Sequence, residues 1–256
     1  MTVHIVVANR LIKIFGAIIK TLSYPFHALL PNYRFTIPAN SPAKCKSKKQ
    51  QKIPKVIWQT NFTEKAAFPV YINYLFNRLM SLSYDYRYVS TEDRLEYLEA
   101  NASPEIVTAY KQLTNGAAQA DLWRMFVLWK EGGVYMDIDA HLVWPLAWLI
   151  KPEDDELFLV NKQHYTNYLI AAAPNHPILK ETIDIIVDNI QNRRVDQGVY
   201  YLTGPVTFNT AIGDKKVNSR FYRVTCIQGS FTNEHFQYID RPRSKWTHVD
   251  NKDLLK

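Results

Sequence analysis

The sequence predicts an α/β protein, a sheet flanked by helices, and three observations carry that prediction. Residues 117–139, AAQADLWRMFVLWKEGGVYMDID, join a helical pattern to a strand through a glycine pair. Short apolar runs at 56–58, 84–90, 157–161 and 168–173 alternate with helix-period segments at 69–80 and from Pro177 onward. At 256 residues, 47% of them hydrophobic, the chain is long enough for one sizeable core.

In chain order, residues 4–22 come first. Asn9, Lys13, Gly16 and Lys20 fall on one helical stripe, and Ile5, Ile12, Phe15, Ile19 and Leu22 fall opposite. This amphipathic helix with a basic polar face reads as lying in a membrane interface, or else as covering the domain core, because Arg10, Lys13 and Lys20 interrupt any apolar run long enough to span. Nine of the 31 Lys and Arg residues, and none of the 24 Asp and Glu, lie within residues 1–52. The expected division is therefore an amphipathic membrane-associating extension at 1–37, a basic linker at 38–52 and one α/β domain at 53–256. Since the domain itself is near neutral, its charge argues against a nucleic-acid binder. Cys45 and Cys226 are the only cysteines, which implies no disulfide framework.

Within the domain, IPKVIWQT supplies a first buried strand, residues 69–80 a helix, and YDYRYVS a second strand. Ser103-Pro104-Glu105 is a helix start, with a capping serine and an acid near the positive end of the dipole. Then comes the central unit. Leu122, Met125, Phe126, Leu128 and Trp129 recur at helical spacing, Gly132 and Gly133 suit a helix C-cap, and VYMDI alternates as a strand. On a strand Asp137 and Asp139 share one face, and two like charges side by side call for a positive partner, typically a hard divalent cation. Asp121 and Arg124, three apart on the helix, aim toward the same strand end. Beyond Pro145, the runs LFLVN and YLIAAA suggest a hairpin, Pro177 opens a helix, and FYRVTCI reads as a late strand.

The joined pattern A-D-L-W-R, then G-G-V-Y-M-D-I-D, resembles the DXD region of glycosyltransferase family 32, and the order of features is similar over roughly residues 53–250. That resemblance implies a GT-A fold, a nucleotide-sugar donor carrying UDP or GDP, manganese or magnesium, and retention of anomeric configuration. Carried over residue by residue, it makes Asp139 a metal ligand and catalytic residue, and takes Asp137 to metal or ribose. Arg124 becomes a charge stabiliser, Asp121 an acceptor of sugar hydroxyls, and Trp58, at the end of a similar I-P-K-x-I-x-Q stretch, a stacking surface for the base. The C-terminal RPRSKWTHVDN implies His248 as a last metal ligand and Trp246 as a lid aromatic.

The expected protein is then a metal-dependent retaining glycosyltransferase. It would serve a glycan or lipid-linked acceptor in surface polysaccharide synthesis, of capsule or lipopolysaccharide type, peripherally on the cytoplasmic face of a bacterial inner membrane. Two other readings keep the fold: a carbohydrate-binding or assembly component without turnover, and a toxin-like transferase acting on protein. A phosphohydrolase would need further His or Asp clusters for a second metal.

Overall fold

The computed structural model describes residues 3–46 and 50–256, so Lys48 and Lys49 of the basic segment lie outside the described residues. The chain opens on one long helix, α1 (Val3–Leu29), and two short strands, β1 (Phe35–Thr36) and β2 (Asn40–Ser41). Strand β3 (Val56–Thr60), the small β4 (Lys65–Ala66), helix α2 (Phe68–Met80) and strand β5 (Asp85–Val89) follow. Helices α3 (Thr91–Asn101) and α4 (Pro104–Gln112) come next, the first held by a reciprocal cap between Ser90 and Asp93.

Helix α5 (Gly116–Glu131) and strand β6 (Gly133–Met136) are the central unit. The Asn115 side chain accepts from the Ala117 and Ala118 N–H groups at 2.9 and 3.3 Å, which satisfies donors that a helix start leaves free. At the other end Gly132 takes a φ of 70°. A Cβ there would lie 2.7 Å from Pro174 Cδ, so the joint tolerates glycine for space as well as for φ. Strand β6 stops two residues short of the alternation in VYMDI. After Met136 the chain turns, with the Ala140 N–H donating to the Asp137 carbonyl at 3.0 Å.

The chain continues through β7 (Ala140–Leu142), α6 (Leu146–Leu149), and the antiparallel hairpin of β8 (Glu156–Asn161) and β9 (His164–Ala172). Helices α7 (Pro177–Gln191), α8 (Val199–Leu202) and α9 (Pro205–Ile212) lead to β10 (Ser219–Phe221), β11 (Cys226–Gln228) and α10 (Glu234–Gln237). The single late strand expected at 221–227 is split, because a 3-10 turn at Tyr222–Val224 redirects the chain from the central sheet to a separate pairing of β11 with β7.

The main sheet has seven strands in the order β10-β8-β9-β6-β3-β5-β2. Strand β3 runs parallel to both β5 and β6, so the carboxyl ends of all three open on one edge, where α/β sheets commonly receive ligands. Side chains of β6 alternate between two cores. Tyr135 joins Leu122, Phe126 and Ile183 on one face, while Val134 and Met136 join Val70, Tyr74 and Leu146 on the other.

Two expectations about the N-terminus change. Ile37 is buried, and β2 pairs with β5 as an edge strand of the main sheet, so the folded domain starts well before residue 53 and part of the supposed linker belongs to it. Helix α1 also faces the other way from a free amphipathic helix. Asn9 Nδ2 donates to the Arg223 carbonyl and Lys20 Nζ to the Gly229 carbonyl, both at 2.8 Å, and Gly16 packs on the Ser230 backbone. Backbone carbonyls on either side of β11 need donors, and Asn9 and Lys20 of α1 supply them.

Candidate active site

The turn carrying the two central aspartates is held by three amides, one from β3 and two from α2. Gln59 Nε2 donates to the Asp137 carbonyl at 3.0 Å, Asn73 Nδ2 to the Ile138 carbonyl at 2.8 Å, and Asn77 Nδ2 to the Ala140 carbonyl at 2.8 Å. Tyr86 in turn fixes Gln59, its hydroxyl 2.8 Å from Oε1. Buried amides with these partners leave the turn little freedom. The apolar spacing of residues 69–80 falls on Tyr71, Ile72, Leu75, Phe76 and Leu79, so it gives no sign of Asn73 and Asn77, one helical turn apart on α2, which are fully buried while Leu75 and Leu79 are exposed.

The carboxylates themselves form a chain of contacts. Asp121 and Arg124 on α5 are almost fully buried, and Arg124 Nη2 lies 3.1 Å from Asp121 and 3.4 Å from Asp137. The guanidinium stacks over the Tyr135 ring at 4.4 Å, and the Tyr135 hydroxyl donates to Asp137 Oδ1 at 2.7 Å. Asp121 also accepts from Asn167 Nδ2 and Thr203 Oγ1, each at 3.0 Å. Burial lifts the Asp121 carboxyl to about 6 against the pull of Arg124 and Thr203. For Arg124 burial opposes the charge, but Tyr135 and the surrounding aspartates outweigh it and hold the guanidinium above its ordinary value.

Asp137 and Asp139 meet at one donor. Gln228 Nε2, from the end of β11, lies 3.0 Å from Asp137 and 3.1 Å from Asp139, and Gln237 Nε2 on α10 reaches the far oxygen of Asp139 at 3.4 Å. Burial, followed by the charge of Asp137, pushes the Asp139 carboxyl up to about 7. An amide is a weak compensation for two adjacent carboxylates, and this set of hard oxygen donors fits a divalent cation. Among the described residues no group of three or more His, Cys, Asp or Glu side chains gathers. Asp137 and Asp139 are the carboxylates here that could hold one.

These groups line a cleft of about 820 Å³, the size of a small-molecule site. Asp121, Arg124, Asp137, Asp139 and Trp246 of the expected residues all border it. Two do not. The Trp58 indole is packed edge-on against Trp123 at 6.3 Å and donates to the Gly132 carbonyl at 3.0 Å, so it belongs to the joint behind α5 and offers no face to a base. The aromatic ring at that end of the cleft is Phe62, with Arg241 stacked 4.6 Å above it. His248 bonds Glu234 at 2.7 Å on the surface, outside the cleft, so its nitrogen is already engaged away from the aspartates.

A further cation went unread in the sequence. Arg94 lies in the charged helix TEDRLEYLEAN yet is 2% exposed and borders the cleft. It donates to Thr91 Oγ1 at 2.8 Å and the Gly116 carbonyl at 3.3 Å, with no carboxylate pairing it among the described residues. Together with the start of α5 it makes this end of the cleft attractive to anions.

With that geometry in place, comparison with known proteins is informative. Residues 69–157 match the family described as the glycosyltransferase sugar-binding region containing a DXD motif. The matched stretch contains Asp121, Arg124, Asp137 and Asp139, whereas Gln228, Gln237 and Trp246 lie beyond it. HOC1 of Saccharomyces cerevisiae, a protein named as a glycosyltransferase, is 29% identical over 114 residues, covering 37% of this chain and 29% of that one. The initiation-specific alpha-1,6-mannosyltransferase of Schizosaccharomyces pombe is 26% identical over 222 residues, covering 73% of this chain and 53% of that one. The chain therefore spans about half or less of the length of these relatives. Among solved structures, the PaToxG glycosyltransferase matches with a TM-score of 0.52 at 19% identity, over 84% of this chain and 80% of that one. The DXD transferase region thus sits in a fold of GT-A type.

Proposed function

We propose that the chain is a glycosyltransferase that moves a sugar from a nucleotide-diphosphate sugar to a glycan or lipid-linked acceptor, with a divalent metal, manganese or magnesium, and with retention of configuration. The observation that carries this reading is the convergence of Asp137 and Asp139 on a single amide at the mouth of three parallel strands, beside a buried Asp121–Arg124 pair. Two half-buried carboxylates that repel each other gain from a bound cation. When bound, the metal would neutralise charge that builds on the departing diphosphate.

The remaining roles follow from what each side chain can donate or accept. Arg124, pinned between Asp121 and Asp137, presents fixed positive charge toward the cleft without reorganising. Asp121 is held by three donors, an arrangement that suits it to orienting sugar hydroxyls rather than attacking carbon. Front-face transfer, in which the leaving phosphate helps take the acceptor proton, is compatible with that division of labour. Phe62 and Arg94 also border the cleft, and a ring and a buried cation are suited to a nucleoside and its charge. Surface polysaccharide of capsule or lipopolysaccharide type is the pathway this reading favours for the product.

Nucleotide release is the test. The full chain would be incubated with a panel of UDP- and GDP-sugars plus manganese, beside Asp139→Asn. Release from one donor, abolished by chelator and by the substitution, is the expected result. Silence across the panel, together with no metal-dependent nucleotide binding by calorimetry, would move the protein to a carbohydrate-binding role.

A further inference from the structure

Helix α1 turns Asn9, Lys20, Ser23 and His27 toward the domain and leaves a row of apolar side chains facing out. Gly16, Ile19, Ser23 and His27 are buried against the domain, while Val7, Leu11, Ile14, Ile18, Leu22 and Leu29 are exposed. Leu11 is 61% exposed and Ile14 59%, values unusual for large apolar side chains that recur at three- and four-residue spacing on a well-formed helix. The row is continuous for about five turns, and helix α2, packed beside α1, adds the exposed Leu75 and Leu79. Single exposed apolar residues need no explanation, but a contiguous stripe of this length does.

The inward face shows why α1 cannot leave the domain and cross a bilayer. Asn9 and Lys20 are committed to the Arg223 and Gly229 carbonyls on either side of β11, His27 Nε2 accepts from the Phe68 N–H at 3.1 Å, and Gly16 fits against Ser230. No helix among the described residues is long and apolar enough to span a membrane. The helix is built to lie flat.

We infer that the outer face of α1 docks on an anionic lipid surface, with its axis in the plane of the membrane. Charge selects this occupant. Of the nine Lys or Arg in residues 1–52, Arg34 and Lys52 pair with Asp240 and Asp155 and Lys20 turns inward, but Arg10 and Lys13 are exposed on α1 itself, and the segment holds no acid. A second copy of the same face would bring like charges together, whereas acidic headgroups would be drawn to them. Tyr24 and Tyr33 are exposed near the end of the stripe, and Trp148 is exposed on α6, whose neighbour Trp144 contacts His4 at 5.5 Å. Amphipathic aromatic rings of this kind favour the headgroup level.

Docking there places the cleft in a defined relation to the surface. Lys20 holds the Gly229 carbonyl while the Gly229 N–H donates to the Asp139 carbonyl at 3.0 Å, and Tyr24 packs on Phe236 of α10, next to the cleft residue Gln237. The same helix that meets lipid thus supports the loop and the short helix that close on Asp139.

The test is co-sedimentation of the full chain with vesicles of phosphatidylcholine alone or mixed with phosphatidylglycerol, beside Ile14→Asp/Ile18→Asp. Circular dichroism melts would establish folding, since neither side chain is packed in the domain. The expected result is binding to the mixed vesicles, weakened by salt, and reduced at least tenfold in the double variant at unchanged melting temperature. Light scattering under the same conditions examines the competing occupant. Absence of binding to mixed vesicles by the folded chain, or a wild-type dimer that the same variant dissociates without any vesicle binding, would overturn the inference.

Discussion

The α5–β6 unit and the stretch from β11 to Val249 both line the cleft, yet they are built in opposite ways. In the first, Asp121 and Arg124 are 6% and 5% exposed, locked by hydrogen bonds on every side. In the second, Trp246 is 37% exposed, its nearest ring being Tyr200 at 6.3 Å. A buried ionic group is expensive to disturb, because any partner it loses leaves a charge without solvent, while an exposed ring exchanges contacts with water at little cost. The first region is therefore where stability and chemistry coincide, and the second is where they separate.

Substitutions sharpen that contrast. Arg124→Met removes the cation between two carboxylates, and breaking a buried pair of this kind costs about 3–5 kcal/mol. We expect a large drop in melting temperature and no nucleotide release; an unchanged melt would show that the pair is not structural. Asp139→Asn separates the two effects. Its carboxyl lies above the ordinary value in the folded state, so its stabilising contribution is complete below pH 4 and lost as pH rises through about 7. At pH 8 the ionised group therefore costs stability, and the neutral amide should melt at the same temperature or higher while nucleotide release is lost.

Gln228→Ala takes away the donor shared by both aspartates. Loss of a residue that orients metal ligands typically lowers metal affinity ~10–100-fold, and calorimetric titration with manganese would read that fall. Trp246→Ala should raise KM a few-fold with kcat and melting temperature nearly unchanged, as checked by donor saturation curves. The smallest effect is expected for His248→Ala, whose partner Glu234 also bonds Lys245 at 2.8 Å. Manganese affinity in that variant should equal the wild type.

The same contrast marks what was legible in the sequence. Helix, glycine pair and strand at 116–136 could be read because residues a few positions apart decide them, and the family match falls on that part of the chain. Spacing also brought Asp121, Arg124 and Asp137 to one place, although the two central aspartates stand on a turn and not on a strand face. Gln228 and Gln237 were not legible, since they reach Asp139 from 89 and 98 residues away and lie in no local pattern. Arg94 was hidden by its setting, because a helical residue with Glu92, Asp93 and Glu96 close by reads as solvated, and only the tertiary packing against Gly116 buries it. Trp58 misled because a strand end next to a cleft has two sides, and this ring takes the one toward Trp123. Helix α1 was recognised as amphipathic, but its periodicity alone did not reveal that the domain would claim the polar side.

Manganese binding by electron paramagnetic resonance, with and without UDP at pH 8 and pH 5.5, tests the central claim most directly. A pair of aspartates completed by a diphosphate predicts one site, tightened by UDP, weakened at pH 5.5 as Asp139 takes up its proton, and lost in Asp139→Asn. Binding that is indifferent to pH, nucleotide and the substitution would place the metal elsewhere and contradict the account.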